Sequence, residues 1–385
     1  MKRLYFDNAA TTSIHEEVIK EMIDCMQNVY GNPSSTHAFG REAKAQIELS
    51  RKKIANLLNV HPGEIIFTSC GTEANNLIIR SCVEYLGVER IITSNLEHKC
   101  VKQTTHEMEE LQNVELLKVK VDTVGNVDYE DLENLLKASD KKTLVTLMHG
   151  NNEIGNLLDL NKVRLLCDQY GALLHTDTVQ TLGHFPLDFG TLKMDFATCS
   201  AHKFHGPKGV GFAYIRKSSS FYPQITGGGQ ERGLRSGTEN VYGVVGMAKA
   251  LEIAVNNLDN HSKYIKELKK YTIEKLRENI PGIEFNGASA DIENSLFTVL
   301  NVRLPFQDNL IGFEMELRGI AVSQGSACSS GAVQVSSVLE SILTAEQLEN
   351  TTPLRISYSE YNTKEEIDVL VEALTKITQK HMVTP

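Results

Sequence analysis

From about Ile65 to Arg216 the chain alternates short runs of apolar and β-branched residues with longer amphipathic stretches. The short runs, Ile65–Phe67, Arg90–Thr93, Val114–Val119, Leu144–Met148, Ala172–Thr176, Phe196–Thr198 and Gly211–Ile215, predict strands. This alternation predicts an α/β layer architecture with a mostly parallel sheet. In such a sheet ligands bind beyond the carboxyl ends of the strands. Gly71, Thr72, His98, Asn152, Asp177 and Lys203 each follow a predicted strand directly or within a few residues. After about Asn256 the pattern changes to a charged helix over Ser262–Asn279 and then to a smaller α+β unit. Strands are predicted there over Ile283–Phe285, Ser295–Val302, Ile320–Val322 and Leu354–Ser357. Thr363-Lys364-Glu365-Glu366 reads as a capping box, and Ile367, Leu370, Val371, Leu374 and Ile377 line one face of the helix it opens. The predicted layout is a large domain over 14–256 and a small domain built from 1–13 with 257–385.

Composition narrows the class. A chain of 385 residues, 41% hydrophobic and 23% charged, can bury two cores and shows no low-complexity character. The 39 basic and 49 acidic residues leave a net charge of -10, which argues against direct binding to nucleic acid or to an acidic membrane surface. Met1-Lys2-Arg3-Leu4-Tyr5-Phe6-Asp7 meets an acid after three apolar residues, and no window approaches a membrane-spanning length, so a cytoplasmic location is expected. Seven cysteines without a Cys-x-x-Cys pair suit reduced thiols rather than a disulfide framework or a zinc site. Most of them, with Cys82, Cys167 and Cys199 as examples, are expected to fill the core.

Candidate chemistry concentrates in Ser200-Ala201-His202-Lys203-Phe204-His205-Gly206-Pro207-Lys208-Gly209, which sets a lysine close to two imidazoles just after a predicted strand. Burial and neighbouring cations lower an amine's pKa and free it for attack on a carbonyl, the chemistry that holds pyridoxal 5'-phosphate (PLP) as a Schiff base. A surface Lys-Gly loop is the plainer alternative. Asp177, at the end of Ala172–Thr176, is either a partner for a pyridinium nitrogen or a helix cap. Ser69-Cys70-Gly71-Thr72-Glu73 places backbone amides and a hydroxyl at a helix start, which suits a phosphate or an ordinary cap. His98 can stack on a ring, move protons or be structural, and Asn152 can bond a ring hydroxyl or fix a turn. The glycine-rich run from Gly227 to Thr238 fits a loop whose backbone approaches a phosphate. Gly325-Ser326-Ala327-Cys328-Ser329-Ser330-Gly331 surrounds one thiol with small residues that let it travel, or leaves it an inert loop cysteine.

With Tyr5-Phe6-Asp7-Asn8-Ala9-Ala10-Thr11-Thr12 and Gly31-Asn32-Pro33-Ser34-Ser35, these motifs resemble the PLP-dependent cysteine desulfurases of fold type I, through to Arg355. The resemblance implies a PLP-dependent transferase fold: a large domain with a mostly parallel sheet plus a smaller α+β domain. It implies that Lys203 holds PLP covalently, Asp177 pairs with the pyridine nitrogen, and His98 stacks on the ring and moves protons. Asn152 and Gln180 would contact the ring oxygen, and Gly71, Thr72, Ser200 and His202 would hold the phosphate. Thr238 would reach the phosphate of the other subunit of a homodimer. Arg355, otherwise a solvent-facing charge on an edge strand, would clamp the L-cysteine carboxylate, with Asn152 beside it, and Cys328 would accept sulfur as a persulfide. No metal is implied, and the sulfur would pass to an acceptor protein for iron-sulfur assembly or tRNA thiolation. Gln324, Gln334, Val335 and Ser337 depart from the family pattern around the thiol. That departure motivates one alternative, a sulfur-relay subunit that needs a partner; a second is a selenocysteine lyase, which depends less on a mobile thiol.

Overall fold

The computed structural model describes residues 3–216, 221–324 and 336–383. Its strands are β1 (Leu4–Tyr5), β2 (Ile65–Thr68), β3 (Arg90–Thr93), β4 (Glu115–Lys118), β5 (Thr143–Thr146), β6 (Leu173–Asp177), β7 (Phe196–Ser200) and β8 (Gly211–Ile215). They continue with β9 (Glu284–Phe285), β10 (Val299–Leu304), β11 (Ile320–Ala321) and β12 (Thr352–Ser357). Seven of them form one sheet in the order β2-β8-β7-β6-β5-β3-β4. All neighbours in it are parallel except that β8 runs antiparallel to both β2 and β7.

The sheet is covered on both faces, which is why its inner strands read as continuous apolar runs rather than alternating ones. The period of two still decides which face each side chain meets. Ile65, Phe67, Ile92, Val145, Ala197 and Phe212 pack with Ile47, Ile54, Val163 and Leu251 from the helices Ala38–Leu57, Leu160–Tyr170 and Val241–Asn256. Their neighbours Ile66, Ile91, Leu144, Phe196 and Ala213 point the other way, onto Leu77, Ile78, Val101 and Met108 of the helices Gly71–Glu84 and Lys99–Gln112. Edge strand β4 is only half-buried and carries Glu115 and Lys118, charges that discourage further strand pairing.

A separate core lies under the antiparallel sheet β12-β10-β9. Leu268, Ile273 and Leu276 of the helix Leu258–Asn279 and Ile367, Leu370 and Leu374 of the helix Lys364–Val383 close it. Leu4 and Phe6, from the other end of the chain, are buried in the same core, and β1 pairs in parallel with β11. The Thr363 hydroxyl accepts from the Glu366 amide, as the capping box predicts.

Element boundaries differ from the sequence reading, most clearly at two starts. The strand expected from Ser295 begins at Val299, because Ser295 bridges to Asn156 and Phe297–Thr298 then turn: the Leu296 amide bonds Gly155 O and the Val299 amide bonds Leu296 O. The charged helix starts at Leu258 rather than Ser262, with the Asn257 carbonyl accepting from the His261 amide. The Gly227–Thr238 run is a loop, as expected, tied to the large sheet through Glu231, and its residues lie outside the cavity that holds Lys203 within this chain. Glu231, 6% exposed, takes Arg51 Nη2 at 2.7 Å, Arg51 Nη1 at 2.8 Å and the Phe67 amide at 2.8 Å. No helix among the described residues is long and apolar enough to cross a membrane.

Candidate active site

A cavity of about 590 Å³ opens beyond the carboxyl ends of β2, β3, β5, β6 and β7, where the sequence places its candidate residues. Lys203 enters it from the single-turn helix Ala201–Lys203 that follows β7. The turn closes through the Gly206 amide on Ala201 O, and a β-carbon at Gly206 would lie 2.8 Å from that oxygen. Lys203 Nζ donates to Ala9 O at 2.6 Å and to Ala10 O at 2.8 Å. Burial pushes its pKa down to about 8, Arg355 adds to the fall, and Asp177 and Asp7 oppose it. Lys203 thus faces the cavity and not the outer surface that a Lys-Gly surface loop would give it. His202, beside it, is lowered to about 4 by burial and by Lys203 and Lys208, and its Nδ1 lies 3.1 Å from Thr11 Oγ1.

Asp177 ends β6 and is 5% exposed. One carboxylate oxygen accepts from the Val179 amide at 2.9 Å and the other from Asn75 Nδ2 at 2.8 Å. Across the cavity floor, the helix Gly71–Glu84 starts at Cys70 without a side-chain cap, so its first amides stay available to an anion. Gly71 is required there, since a β-carbon would come within 2.6 Å of Val179 Cγ2. Thr72 flanks this start, and Ser200 Oγ is buried with no hydrogen-bond partner.

Gln180 also lines the cavity and donates to Ala9 O at 3.0 Å. Arg355 stands on β12, an edge strand as expected, yet it turns into the cavity instead of facing solvent. Its Nη1 donates to the Asn152 carbonyl at 3.0 Å and its Nη2 to Asp7 Oδ1 at 2.8 Å, while its Nε is buried and unpartnered. His98 caps the helix Lys99–Gln112, its Nδ1 accepting from the Cys100 amide, and shows its ring to the cavity. The surrounding protein lowers its pKa, as do Lys203 and Lys102, against Asp177 and Glu153.

Thr238 is exposed and outside the cavity, and Cys328 lies outside the described residues. Ser323 on one side of that segment and Ser336 and Ser337 on the other all line the cavity. The sequence reading missed Asp7, Asn75, Glu97, Cys70 and Cys100 as cavity residues. Neither cysteine is given a role of its own by the sequence, although both sit within two residues of Thr72 or His98, and that spacing is the available signal. Cys82, Cys167 and Cys199 are fully buried. Among the described residues no group of three or more metal-ligating side chains is placed to hold a metal ion.

The donor set fits PLP. An uncapped helix start with the orphaned Ser200 hydroxyl suits its phosphate, Asp177 its pyridine nitrogen, and the half-buried Lys203 amine its carbonyl carbon. Comparison with known proteins identifies the family. Residues 4–370 match the family model described as Aminotransferase class-V. The "Cysteine desulfurase IscS" of Dictyoglomus turgidum is 39% identical over 99% of this chain and 96% of its own length. The "Cysteine desulfurase IscS" of Clostridium botulinum strain Hall is 35% identical over 98% and 95%. A solved structure titled "NIFS-LIKE PROTEIN" superposes with a TM-score of 0.90 at 37% identity, covering 98% of this chain and all of that one. The chain belongs to the class-V aminotransferase family and, within it, to the cysteine desulfurases.

Proposed function

We propose that the protein converts L-cysteine to L-alanine and transfers the sulfur to Cys328 as a persulfide. The observation that carries this reading is the Lys203 amine, held near pKa 8 in one cavity with Asp177 and Arg355. PLP, when bound, supplies an electron sink for negative charge developing at the substrate α-carbon. Lys203 is its covalent anchor and, once free, the base that takes the α-proton and returns it. Asp177 keeps the pyridine nitrogen protonated, and Gly71, Thr72, Ser200 and His202 hold the phosphate. Asn152 and Gln180 orient the ring oxygen. Arg355, with Asn152 beside it, binds the substrate carboxylate, and its unpartnered Nε leaves capacity for that bond. His98 covers the ring and carries protons. The Cys328 thiolate then takes the substrate sulfur, an S–S bond forming as the Cβ–S bond breaks, and a proton at Cβ completes alanine. Ser323, Ser336 and Ser337 at the cavity support this role, because they flank the segment that carries Cys328.

The reading includes a large domain over 14–256 and a small domain of 1–13 with 257–385, supported by the separate core that buries Leu4 and Phe6. It also includes a cytoplasmic homodimer in which the exposed Thr238 completes the partner's phosphate site, and delivery of sulfur to an acceptor protein for iron-sulfur assembly or tRNA thiolation. The test is sulfide and alanine release from L-cysteine with a reductant, for wild type and Cys328→Ala side by side. Release of both by wild type and loss in the variant is expected. A PLP-loaded wild type that releases neither would overturn the proposal.

A further inference from the structure

Two polar side chains join Asp177 at the foot of the cavity to His98 at its rim. Asn75, fully buried, donates from Nδ2 to Asp177 Oδ2 at 2.8 Å and to Cys100 Sγ at 3.3 Å. Cys100 Sγ in turn lies 3.0 Å from His98 Nδ1. An amide nitrogen only donates, so the Cys100 sulfur accepts from Asn75 and has its own S–H to give to the imidazole, with the Thr72 hydroxyl as a further neighbour of the sulfur. The Cys100 backbone N–H also points at His98 Nδ1, at 3.3 Å, where it forms the helix cap. A ring nitrogen that faces two donors carries the lone pair, so the ring proton stands on Nε2.

We propose that Cys100 is a positioning residue that locks His98 as the neutral tautomer protonated on Nε2, ready to donate toward the cavity. The inference rests on the desulfurase reading only for what His98 does next. A reversed arrangement, with a Cys100 thiolate accepting from an Nδ1–H, sets two N–H groups against each other. It also needs an ionised thiol where burial, with Asp177 adding, pushes the Cys100 pKa up to about 12. Protonating His98 on Nδ1 would face the same two donors and the positive end of the helix, so the arrangement holds the ring neutral. The other charges acting on the ring are Asp177 on β6, Lys203 after β7, Lys102 on its own helix and Glu153 after β5. Asn75 also ties this control to Asp177, so the group that holds the pyridine nitrogen and the group above the ring share one hydrogen-bond chain.

The test is ¹⁵N and ¹³C NMR of cofactor-free protein labelled at histidine, with His98 assigned through His98→Gln. Wild type is expected to show the Nε2–H tautomer. In Cys100→Ala the S–H donor is gone, and His98 should populate both tautomers and titrate about 0.5–1 pH unit higher, the worth of one neutral hydrogen bond. Cys100→Ser keeps a donor and should restore the wild-type tautomer and titration. In the PLP-loaded enzyme the acid limb of the kcat/KM profile should move with the His98 titration in Cys100→Ala. An Nδ1–H tautomer in wild type, or an unchanged tautomer and titration in Cys100→Ala, would overturn the proposal. The tautomer is read without turnover, so its failure is distinct from a failure to release sulfide.

Discussion

Glu97, next to His98, is 2% exposed and has one carboxyl oxygen fully bonded, to Ser94 Oγ at 3.0 Å and the Met148 amide at 2.9 Å. Its other oxygen is buried without a partner. Burial, with the nearby Asp177 adding, raises its pKa from 4.5 to about 8, so at neutral pH the native protein holds a proton there that the unfolded chain has released. Stability should therefore fall as pH rises through the window from 4.5 to 8. Glu97→Gln, which keeps both hydrogen bonds without an ionisable group, should flatten that slope, worth at most about 1.4 kcal/mol per pH unit. Urea unfolding midpoints of both proteins across the window check it. At Lys203 the expectation is spectroscopic: Lys203→Ala, incubated with PLP and desalted, should lose the absorbance of covalently held cofactor that wild type retains. Single residues of this kind were partly legible. Lys203, Asp177 and His98 line the cavity and stand out in the sequence because they follow predicted strands directly or within a few residues, whereas Glu97 does not stand out. Its role depends on a partnerless oxygen, which no spacing encodes.

The helix Leu258–Asn279 shows how an element can reach the site without entering it. Its Lys269 is fully buried and donates to Ser295 Oγ at 2.8 Å and Leu296 O at 3.2 Å, while the Leu296 amide bonds Gly155 O in the loop that carries Asn152. Burial lowers the Lys269 pKa from 10.5 to about 7, against Asp291. Between those values the unfolded chain holds a proton that the native one has lost, so stability should rise with pH from 7 to 10.5. Lys269→Met should remove that rise and leave the protein at least as stable near neutral pH, because a desolvated amine is replaced by an apolar side chain of similar length. Thermal unfolding at both ends of the window checks it. This contact also explains the displaced start of β10. Ser295–Thr298 reads as a strand by residue type, but Ser295 and Leu296 bond the lysine, Asn156 and Gly155 before Phe297–Thr298 turn.

On the scale of the whole molecule, two charged pairs hold distant segments in place. Arg51, 2% exposed, sits over the Phe67 ring at 4.5 Å and clasps Glu231, which fixes the glycine-rich loop beneath β2. Glu231→Ala would leave the buried guanidinium with only the half-exposed Glu48 and the Ile65 carbonyl as partners, and should destabilise the protein by up to about 3–5 kcal/mol, the cost of breaking one side of a buried pair. Denaturant unfolding measures the loss. The second pair, Arg355 with Asp7, joins β12 to the N-terminal segment, whose Ala9 and Ala10 carbonyls receive Lys203. Three parts of the chain, from its start, middle and end, thus meet in one cavity.

The sequence by itself determined the order and kind of elements in the large sheet and which residues stand at its carboxyl edge. Those properties depend on local periodicity and on the burial each residue type requires, and both repeat along the chain. Only the tertiary structure decided which groups meet across that edge: Asp7 with Arg355, Glu231 with Arg51, and Asn75 with Asp177 and Cys100. Side-chain pairing across the fold depends on distance and mutual desolvation between segments far apart in sequence. For the same reason Cys100 reads as one more small core residue in the sequence, and becomes a link between a carboxylate and an imidazole once the helices are in place.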